Sequence, residues 1–353
     1  MTFAPLFDDA IQARLEAALS VEPLDRQLAG QPREVQFCKR CVVSNQRPRI
    51  TFDAEGVCSA CRFAERKATG IDWASREAML AALLDQHRSR HGGYDCIVPC
   101  SGGKDSAYVA HVLKDKYGMH PLTVTWAPFI YTDIGRANMG RFVHSGFDNI
   151  TATPDGITHR KLARLAFDFL GDPFQPFVYG QLNFALHAAA RFGTPLVFFG
   201  ENGEAEYGGS TKAADRPCFD WADFETVYLK GAGVDRLVKQ GIDLGAFTTH
   251  EASAISPYYR LPVMRELVES GAQFHWMSYY LRWTPQENYY YATEHTGFEP
   301  NPERNEGTYS KYASIDDRLD GLHYYMAYIK FGIGRCTSDA AHEVRDRHIT
   351  REE

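Results

Sequence analysis

Short apolar runs alternate with longer amphipathic stretches through the middle of the chain. The short segments predict strands of a parallel sheet, and the one at residues 195–199 is a continuous apolar run, which is typical of a strand buried on both faces. They cover residues 94–99, 121–126, 148–152, 195–199 and 272–277. The longer stretches predict helices over residues 107–117, 134–145, 157–170 and 176–192. This alternation predicts an α/β fold with a doubly wound parallel sheet that carries helices on both faces.

Helical patterns also flank this central region. They cover residues 6–19, 72–90 and 227–240, with a connecting segment at residues 21–36. Residues 314–330 predict another helix, with Ser314 as its cap and Asp317 three residues later, in the spacing of a capping box. A last helix is expected to begin at Ser338.

Four cysteines stand in two Cys-x-x-Cys pairs near the N-terminus. Cys38 pairs with Cys41 and Cys58 with Cys61, and sixteen residues separate the two pairs. This spacing predicts a tetrahedral Cys₄ zinc site with a short hairpin between the pairs. A redox dithiol would need only one pair, and an iron–sulfur cluster is the remaining alternative. The zinc would be structural, because all four ligands are thiolates, and it would supply much of the folding energy of so small a segment.

The stretch Ser101-Gly102-Gly103-Lys104-Asp105-Ser106 lies between the first predicted strand and the helix after it. Its glycines let the backbone approach an anion, its serines supply donors, and the helix N-terminus offers free N–H groups. Lys104 adds a charge that suits phosphate. The glycine spacing excludes the longer Gly-x-x-x-x-Gly-Lys-Ser/Thr loop, and the stretch resembles the PP-loop of the ATP pyrophosphatase superfamily. The resemblance implies a sheet of the HUP type, and an ATP cut between its α- and β-phosphates. An ordinary helix-capping turn is the alternative.

Ligands of such sheets bind at the carboxyl ends of the strands. Trp126 ends the second predicted strand and is a candidate neighbour of the adenine, with a core position as the alternative. Residues 200–209, after the fourth strand, hold three carboxylates among four glycines. Glu201 is a candidate Mg²⁺ ligand, because Mg²⁺ prefers carboxylate oxygen together with phosphate and water. Glu204 or Glu206 could position the substrate or act as a base, whereas a solvated acidic loop would have no such role.

Lys330 and Arg335 flank two glycines close to the predicted start of the last helix. Cations beside a helix N-terminus predict a second anion site. Plain surface charge is the alternative for these two residues.

Composition narrows the class of protein. The chain has 353 residues, a net charge of −7 and a pI near 6.0, and an acidic balance argues against a broad nucleic-acid surface. No apolar run approaches the roughly 20 residues that span a bilayer, and the N-terminus lacks the apolar core of a signal peptide. Eight cysteines without such a signal indicate a reducing compartment. We therefore expect a cytoplasmic protein with neither nucleic acid nor membrane as a partner.

Several motifs, taken in order, resemble the N-acetyl sugar amidotransferases of bacterial surface-glycan and flagellin-glycan biosynthesis. They are the two cysteine pairs, residues 101–106, residues 200–209, Glu306-Gly307-Thr308-Tyr309 and residues 315–349. The resemblance covers the chain from about Cys38 to its end. Together, the positions of the residues and this resemblance predict three sets of site residues. The catalytic group is Lys104, Asp105, Glu201 and Glu206. The ATP site is Ser101, Gly102, Gly103, Lys104, Asp105, Ser106, Trp126 and Gly200. The substrate contacts are Asn202, Tyr207, Lys330 and Arg335.

The resemblance also implies a reaction. The acetamido oxygen of an N-acetylated, nucleotide-linked sugar would attack the α-phosphate of Mg·ATP, and ammonia would then replace the adenylyl group to leave an acetamidino group. ATP, Mg²⁺ and a structural Zn²⁺ are thus the expected cofactors. No Cys–His–Glu glutaminase arrangement is recognisable in the sequence. Ammonia is therefore expected from a separate glutamine amidotransferase subunit.

These inferences divide the chain into four predicted parts. Residues 1–36 form an N-terminal helix and linker, 37–66 the zinc ribbon, 67–235 the ATP-binding domain, and 236–353 a C-terminal region that completes the sheet and the substrate site.

Two other functions fit parts of the pattern. A PP-loop enzyme that thiolates tRNA would also combine the loop with cysteine pairs, and Cys100 beside the loop could be its reactive thiol. Acidic charge and the lack of a second catalytic cysteine pair argue against it. A non-catalytic module that only senses nucleotide is the other alternative, and the carboxylates at residues 201–206 argue against that one.

Overall fold

A five-stranded parallel sheet forms the centre of the molecule, in the strand order β3-β2-β1-β4-β5. The structure is a computed structural model that describes residues 5–19, 25–219, 224, 229, 233–263, 266 and 269–353. The strands are β1 (Cys96–Pro99), β2 (Pro121–Trp126), β3 (Asn149–Ala152), β4 (Leu196–Phe199) and β5 (Gln273–Trp276). The predicted α/β fold with a parallel sheet is confirmed.

Helices connect and flank these strands. Before the sheet lie α1 (Asp9–Leu19), α2 (Ser59–Thr69) and α3 (Trp73–His87). Between strands lie α4 (Lys104–His111), α5 (Asp133–His144), α6 (Gly156–Leu170), α7 (Gln175–Phe192), α8 (Gly203–Glu206), α9 (Val234–Leu244) and α10 (Thr249–Ser253). After β5 come α11 (Met277–Tyr280), α12 (Pro285–Thr296), α13 (Asp320–Phe331) and α14 (Arg335–Asp346). The predicted helix over residues 227–240 begins among residues outside the described ranges, and its described part is α9.

The two faces of the sheet bury separate apolar clusters, because neighbouring side chains of a strand point to opposite faces. In β1, Ile97 joins a cluster with residues of α6, α7 and α9, whereas Val98 joins one with residues of α3, α4 and α5. Both side chains are fully buried. Helices therefore cover both faces, as a doubly wound sheet requires.

The start of α13 differs from the prediction. The helix begins at Asp320, and Ser314 lies outside it in the left-handed region with φ of 48°. The carboxylate of Asp317 does not form a capping box. It accepts hydrogen bonds from the backbone N–H groups of Ile130 and Leu319 and so joins this segment to the chain after β2. The aspartate therefore bonds to a distant segment of the chain instead of forming the capping box with Ser314.

The start of α14 also differs. The helix begins at Arg335 rather than at Ser338, with Gly334 as its cap. Of the helices that the structure describes, none is both long and apolar enough to cross a membrane.

The cysteine segment has little regular structure of its own. Isolated bridges join Phe37 to Ser44 and Phe52 to Cys58, and the apolar side chains around the cysteines pack on Ile333 and on Ala341 of α14. The segment therefore shares its small core with the C-terminal part of the chain.

Candidate active site

The four cysteines form a buried cluster. Their sulfur atoms all lie within 4.8 Å of one another, with Cys38 Sγ 3.8 Å from Cys61 Sγ and Cys41 Sγ 3.7 Å from Cys58 Sγ. A tetrahedral zinc with Zn–S bonds of about 2.3 Å requires sulfur atoms about 3.8 Å apart. The cluster thus fits a structural zinc ion, as the spacing of the cysteines predicts.

The stretch of residues 101–106 lies where the sequence predicts it: residues 101–103 connect β1 to α4, and residues 104–106 are the first turn of α4. Gly102 adopts a φ of 81°, and a Cβ there would lie 2.7 Å from the backbone of Met139, so no other residue fits. Gly103 caps α4 without a side-chain bond, which leaves the first N–H groups of the helix directed at the loop. The local geometry is that of an anion-binding turn.

Lys104 and Asp105 begin α4. The Lys104 side chain is almost fully buried, and its ammonium lies 2.5 Å from the Asp105 carboxylate. The other oxygen of Asp105 accepts a hydrogen bond from the Asn288 amide of α12 at 3.1 Å. These contacts therefore fix the ammonium and the carboxylate at the start of α4.

A cavity of about 370 Å³ opens beside Lys104 and Asp105. Its lining comes from four parts of the chain: the cysteine segment, the loop, residues 201–207 and residues after 285. The residues of this lining that carry charge or titrate are Arg47, Lys104, Asp105, Glu201, Tyr207, Tyr312, His323, Tyr324, Asp339, His342, Glu343, Asp346 and His348. This mixture of acids, bases and cations around one space makes the cavity the candidate active site.

Glu201 faces this cavity together with Tyr207, whose hydroxyl donates to its carboxylate at 2.9 Å. Burial, and next the negative charge of Asp105, raise the pKa of Glu201 to about 7. Burial also raises the pKa of Tyr207, which therefore stays protonated. Two carboxylates that repel each other at a cavity wall can bind a cation between them.

The two other carboxylates of this segment pair with cations outside the cavity lining. Glu204 accepts from Arg49 Nη2 at 2.6 Å and from Arg49 Nε at 2.9 Å. Burial alone would raise the pKa of Glu204, but the bonds and charge of Arg49 outweigh it and hold the pKa below its usual value. Glu206 accepts from the ammonium of Lys67 at 2.9 Å, and both side chains are buried. Arg49 and Lys67 thus join the cysteine segment and α2 to α8.

Several residues predicted for the site make packing or capping contacts within the protein. Trp126 is 3 % exposed and packs against Gly180 of α7 in the core, which is the alternative position considered for it. Gly200 packs against the ring of Trp283, which a Cβ would approach to 2.7 Å. Asn202 caps α8, its side-chain oxygen accepting from Glu204 N at 3.1 Å. These residues shape the sheet edge and are not part of the cavity lining.

The two cations predicted as an anion site bond to different parts of the chain. The ammonium of Lys330 donates to the Asp25 carboxylate at 2.8 Å and to the Leu170 carbonyl at 2.9 Å, in a nearly buried ion pair. The guanidinium of Arg335 donates to the carbonyl oxygens of Ala313 and Ser314, which line the cavity. The structure therefore does not bring Lys330 and Arg335 together as one anion site, and Arg335 supports the cavity wall.

A cluster of three aspartates that the sequence did not single out for the site reaches the loop through one of its members. Asp316 accepts from the hydroxyl of Ser101, and burial raises its pKa to about 6. Burial, and next the charges of Asp316 and Asp317, raise the pKa of Asp320 to about 8. Only the density of aspartates at residues 316–320 could have signalled this group, because nothing in the sequence places it next to Ser101.

Arg47 is another member of the site that the sequence did not indicate. It follows the first cysteine pair and lines the cavity, with its guanidinium carbon 5.2 Å from the ring centre of Tyr207. The cysteine segment thus contributes a cation to the cavity as well as a cluster of thiols that could bind a metal ion.

Comparison with known proteins bears on the C-terminal part of the chain. Residues 306–353 match a family described as the C-terminal domain of WbpG-like lipopolysaccharide (LPS) biosynthesis proteins. These residues contain α13 and α14 and supply much of one cavity wall. No curated protein matches the chain. The match supports a relation to an LPS-biosynthesis family.

Proposed function

We propose that the protein is an ATP-dependent amidotransferase that converts the acetamido group of an N-acetylated, nucleotide-linked sugar into an acetamidino group during LPS biosynthesis. The observation that carries the proposal is one cavity that borders both the Lys104–Asp105 end of the loop and the segment matching the LPS-biosynthesis family. We further propose that the sheet is of the PP-loop, or HUP, type. ATP as a substrate favours a cytoplasmic location.

The chemistry requires that an amide be activated before ammonia can attack it. The amide oxygen would attack the α-phosphate of ATP and release pyrophosphate, and AMP would then be the leaving group when ammonia forms the new C–N bond. Lys104 and the N–H groups at the start of α4 supply the donors and the charge that stabilise the departing pyrophosphate. The protein contributes positioned electrostatics here rather than a nucleophile.

Glu201 and Asp105 are the candidate ligands for a magnesium ion. Their mutual repulsion contributes to the raised pKa of Glu201, and a divalent cation would relieve it. A bound Mg²⁺ would neutralise phosphate charge during the transfer. Glu201 and Asp105 would hold that ion at the cavity edge.

Ammonia would come from a separate glutamine amidotransferase subunit, as the sequence suggests. Free ammonium salt can replace such a subunit in an assay. The reaction can therefore be tested with this chain alone.

The surroundings of Cys100 argue against the alternative of a tRNA-thiolating enzyme. This thiol is 4 % exposed, and burial raises its pKa to about 11, so it is protonated at neutral pH. A sulfur-transfer enzyme needs an accessible thiolate near its loop.

The test is to incubate the protein with Mg·ATP, ammonium chloride and a panel of diacetamido nucleotide sugars, and to measure AMP, pyrophosphate and the amidine by mass spectrometry. We expect AMP and pyrophosphate in equal amounts, formed only with a matching sugar. AMP formation that depends on tRNA, or none with any sugar, would contradict the proposal.

A further inference from the structure

Arg47 is a half-buried cation of the cavity wall that has no counter-ion. It lines the cavity, and its guanidinium carbon lies 5.2 Å from the ring centre of Tyr207. Within the part of the chain that the structure describes, no carboxylate forms an ion pair with this guanidinium, and its Nε is buried without a hydrogen-bond partner. A charge that is withdrawn from water is costly unless it is paired, so the side chain is arranged for a partner that comes from outside the chain.

The charges closest to Arg47 do not neutralise it. Glu204 already accepts two hydrogen bonds from Arg49, and Arg345 and Arg49 add positive charge. Burial, and to a smaller extent these two cations, lower the pKa of Arg47. The guanidinium still carries its charge, because arginine ordinarily stays protonated in proteins.

The acidic side chains of α8 and α14 do not supply the missing counter-charge either. The ammonium of Lys67 lies 2.9 Å from the carboxylate of Glu206 and 3.5 Å from that of Asp346. Arg345 donates to the main-chain carbonyl oxygen of Glu206 at 3.1 Å. Two cations therefore balance these two carboxylates, and the positive charge of Arg47 has no counterpart beside them.

A second unpaired donor lines the same cavity. Ser310 Oγ is buried without a partner, in a residue that is 7 % exposed. Among the described residues of the lining, the other buried side-chain atom without a partner is His342 Nε2, which faces the carboxylates of Glu206 and Asp346 and so would not meet an anion. A guanidinium and a hydroxyl that both lack acceptors indicate an anionic ligand.

Phosphate is the anion that the proposed reaction brings to this cavity twice, once in ATP and once in the nucleotide-linked sugar. The N–H groups at the start of α4 and Lys104 serve the phosphates of ATP. The charges that act most strongly on Arg47 include neither Lys104 nor Asp105, and Arg47 comes from a different part of the chain. Its planar fork of donors matches two oxygens of a phosphate group. The phosphates that remain for it are those that join the sugar to its nucleoside.

We propose that Arg47 binds the diphosphate of the nucleotide-linked sugar, so that the cysteine segment takes part in selecting this substrate. The identity of the substrate rests on the proposed function. The new claim is a separate phosphate subsite for the second substrate, on the cavity wall that the cysteine segment provides.

The first experiment compares Arg47→Gln with the wild type in sugar-dependent AMP formation at saturating Mg·ATP and ammonium chloride. We expect the KM for the nucleotide sugar to rise about 10–100-fold, the effect of a lost charge-assisted contact. The kcat and the KM for ATP should stay within about threefold, because the contact is made equally before and during the reaction. Arg47→Lys should recover part of the loss, since it keeps the charge but not the fork. Arg40→Gln is the matched control, because Arg40 lies in the same segment with an exposed partner, Glu65, and should behave as wild type.

A substrate without phosphate separates this role from a general one. For the free N-acetylated sugar, Arg47→Gln should leave kcat/KM within about threefold of the wild type, because the group that Arg47 binds is absent. Equal losses for the free and the nucleotide-linked sugar would overturn the inference while the proposed function stands. Without ligand, Arg47→Gln should melt at or above the wild-type temperature, since it removes an unpaired charge. A lower melting temperature would indicate a structural role and would also overturn it.

A binding measurement needs no turnover. With the loop saturated by α,β-methylene-ATP, at least one of UDP, GDP, CDP and dTDP should raise the melting temperature of the wild type further. Arg47→Gln should abolish this second shift and keep the first, whereas loss of the first shift would assign Arg47 to ATP and overturn the inference. If the wild type forms no AMP with any sugar, the proposed function fails. The second melting shift then decides the subsite alone, and its absence overturns it.

Discussion

The ion pair between Arg49 and Glu204 should hold the cysteine segment on the sheet. Arg49 makes two hydrogen bonds to the carboxylate, of 2.6 and 2.9 Å, and Glu204 is 8 % exposed. In Arg49→Met, the carboxylate would stay buried with the Ser210 N–H as its remaining partner in this contact. We expect a large loss of stability, because the charge would lose its compensation.

The magnitude follows from burial. Breaking a fully buried pair costs about 3–5 kcal/mol, and the 34 % exposure of the Arg49 side chain reduces the expectation to about 2–3 kcal/mol. With an unfolding entropy of about 2.1 cal/mol/K per residue, a chain of 353 residues would lose about 3–4 °C in Tm. The double variant with Glu204→Gln should recover most of this loss.

Urea unfolding of the four proteins in this cycle gives the coupling free energy. Arg40→Met is the control, because its pair with Glu65 is exposed and should contribute less than about 1 kcal/mol. The pKa of Glu204 is lowered in the folded state, so its contribution is present above the unfolded pKa and is lost as pH falls through the folded value. The coupling should therefore shrink below about pH 4.5. A coupling below about 0.5 kcal/mol at pH 7, or one that grows in acid, would refute the reasoning.

Three further outcomes test the metal, the loop and the buried aspartate. Cys58→Ser should lose its zinc, as measured by metal analysis, and should melt at a lower temperature; full zinc content with unchanged melting would contradict the Cys₄ site. Lys104→Ala should lower AMP formation by about 10²–10³-fold with a melting temperature close to that of wild type, and normal AMP formation would exclude its phosphate role. The pKa of Asp320 is about 8 in the folded protein, so wild-type stability should fall as pH rises from about 4 to 8. Asp320→Asn should remove that slope, gaining about 2–4 kcal/mol on wild type between pH 5 and pH 8, and parallel pH profiles of urea unfolding would disprove the assignment.

The sheet and the cysteine cluster could be predicted from sequence because their signals are local. The strands β1, β2 and β4 lie in short, largely apolar segments, and two Cys-x-x-Cys pairs at this separation are typical of a four-thiolate metal site. The loop at residues 101–106 is local too, since its glycines and the helix after it are contiguous.

The rest of the site depends on contacts between distant segments. Nothing in the sequence around Glu204 indicates that Arg49 will neutralise it, and an acidic residue at a strand end suggests chemistry whether or not it has such a partner. Trp126 at a strand end could equally contact a ligand or lie in the core. In the structure its ring packs in the core, in the space left by the missing side chain of Gly180. Long-range pairing, not local pattern, determines which polar side chains remain for function.

The dependence of the cysteine segment on α14 has a consequence for synthesis of the protein. Arg345 approaches Cys41 across 304 residues of chain, and Ala341 covers the apolar side chains beside the cysteines. Since a nascent chain folds from its N-terminus, the four thiols emerge long before the helix that shields them. During that interval they are open to oxidants and to competing metals. The protein should therefore be most vulnerable to oxidative damage while it is still being made. If the cluster binds zinc, zinc supply during translation should limit how much of the protein matures.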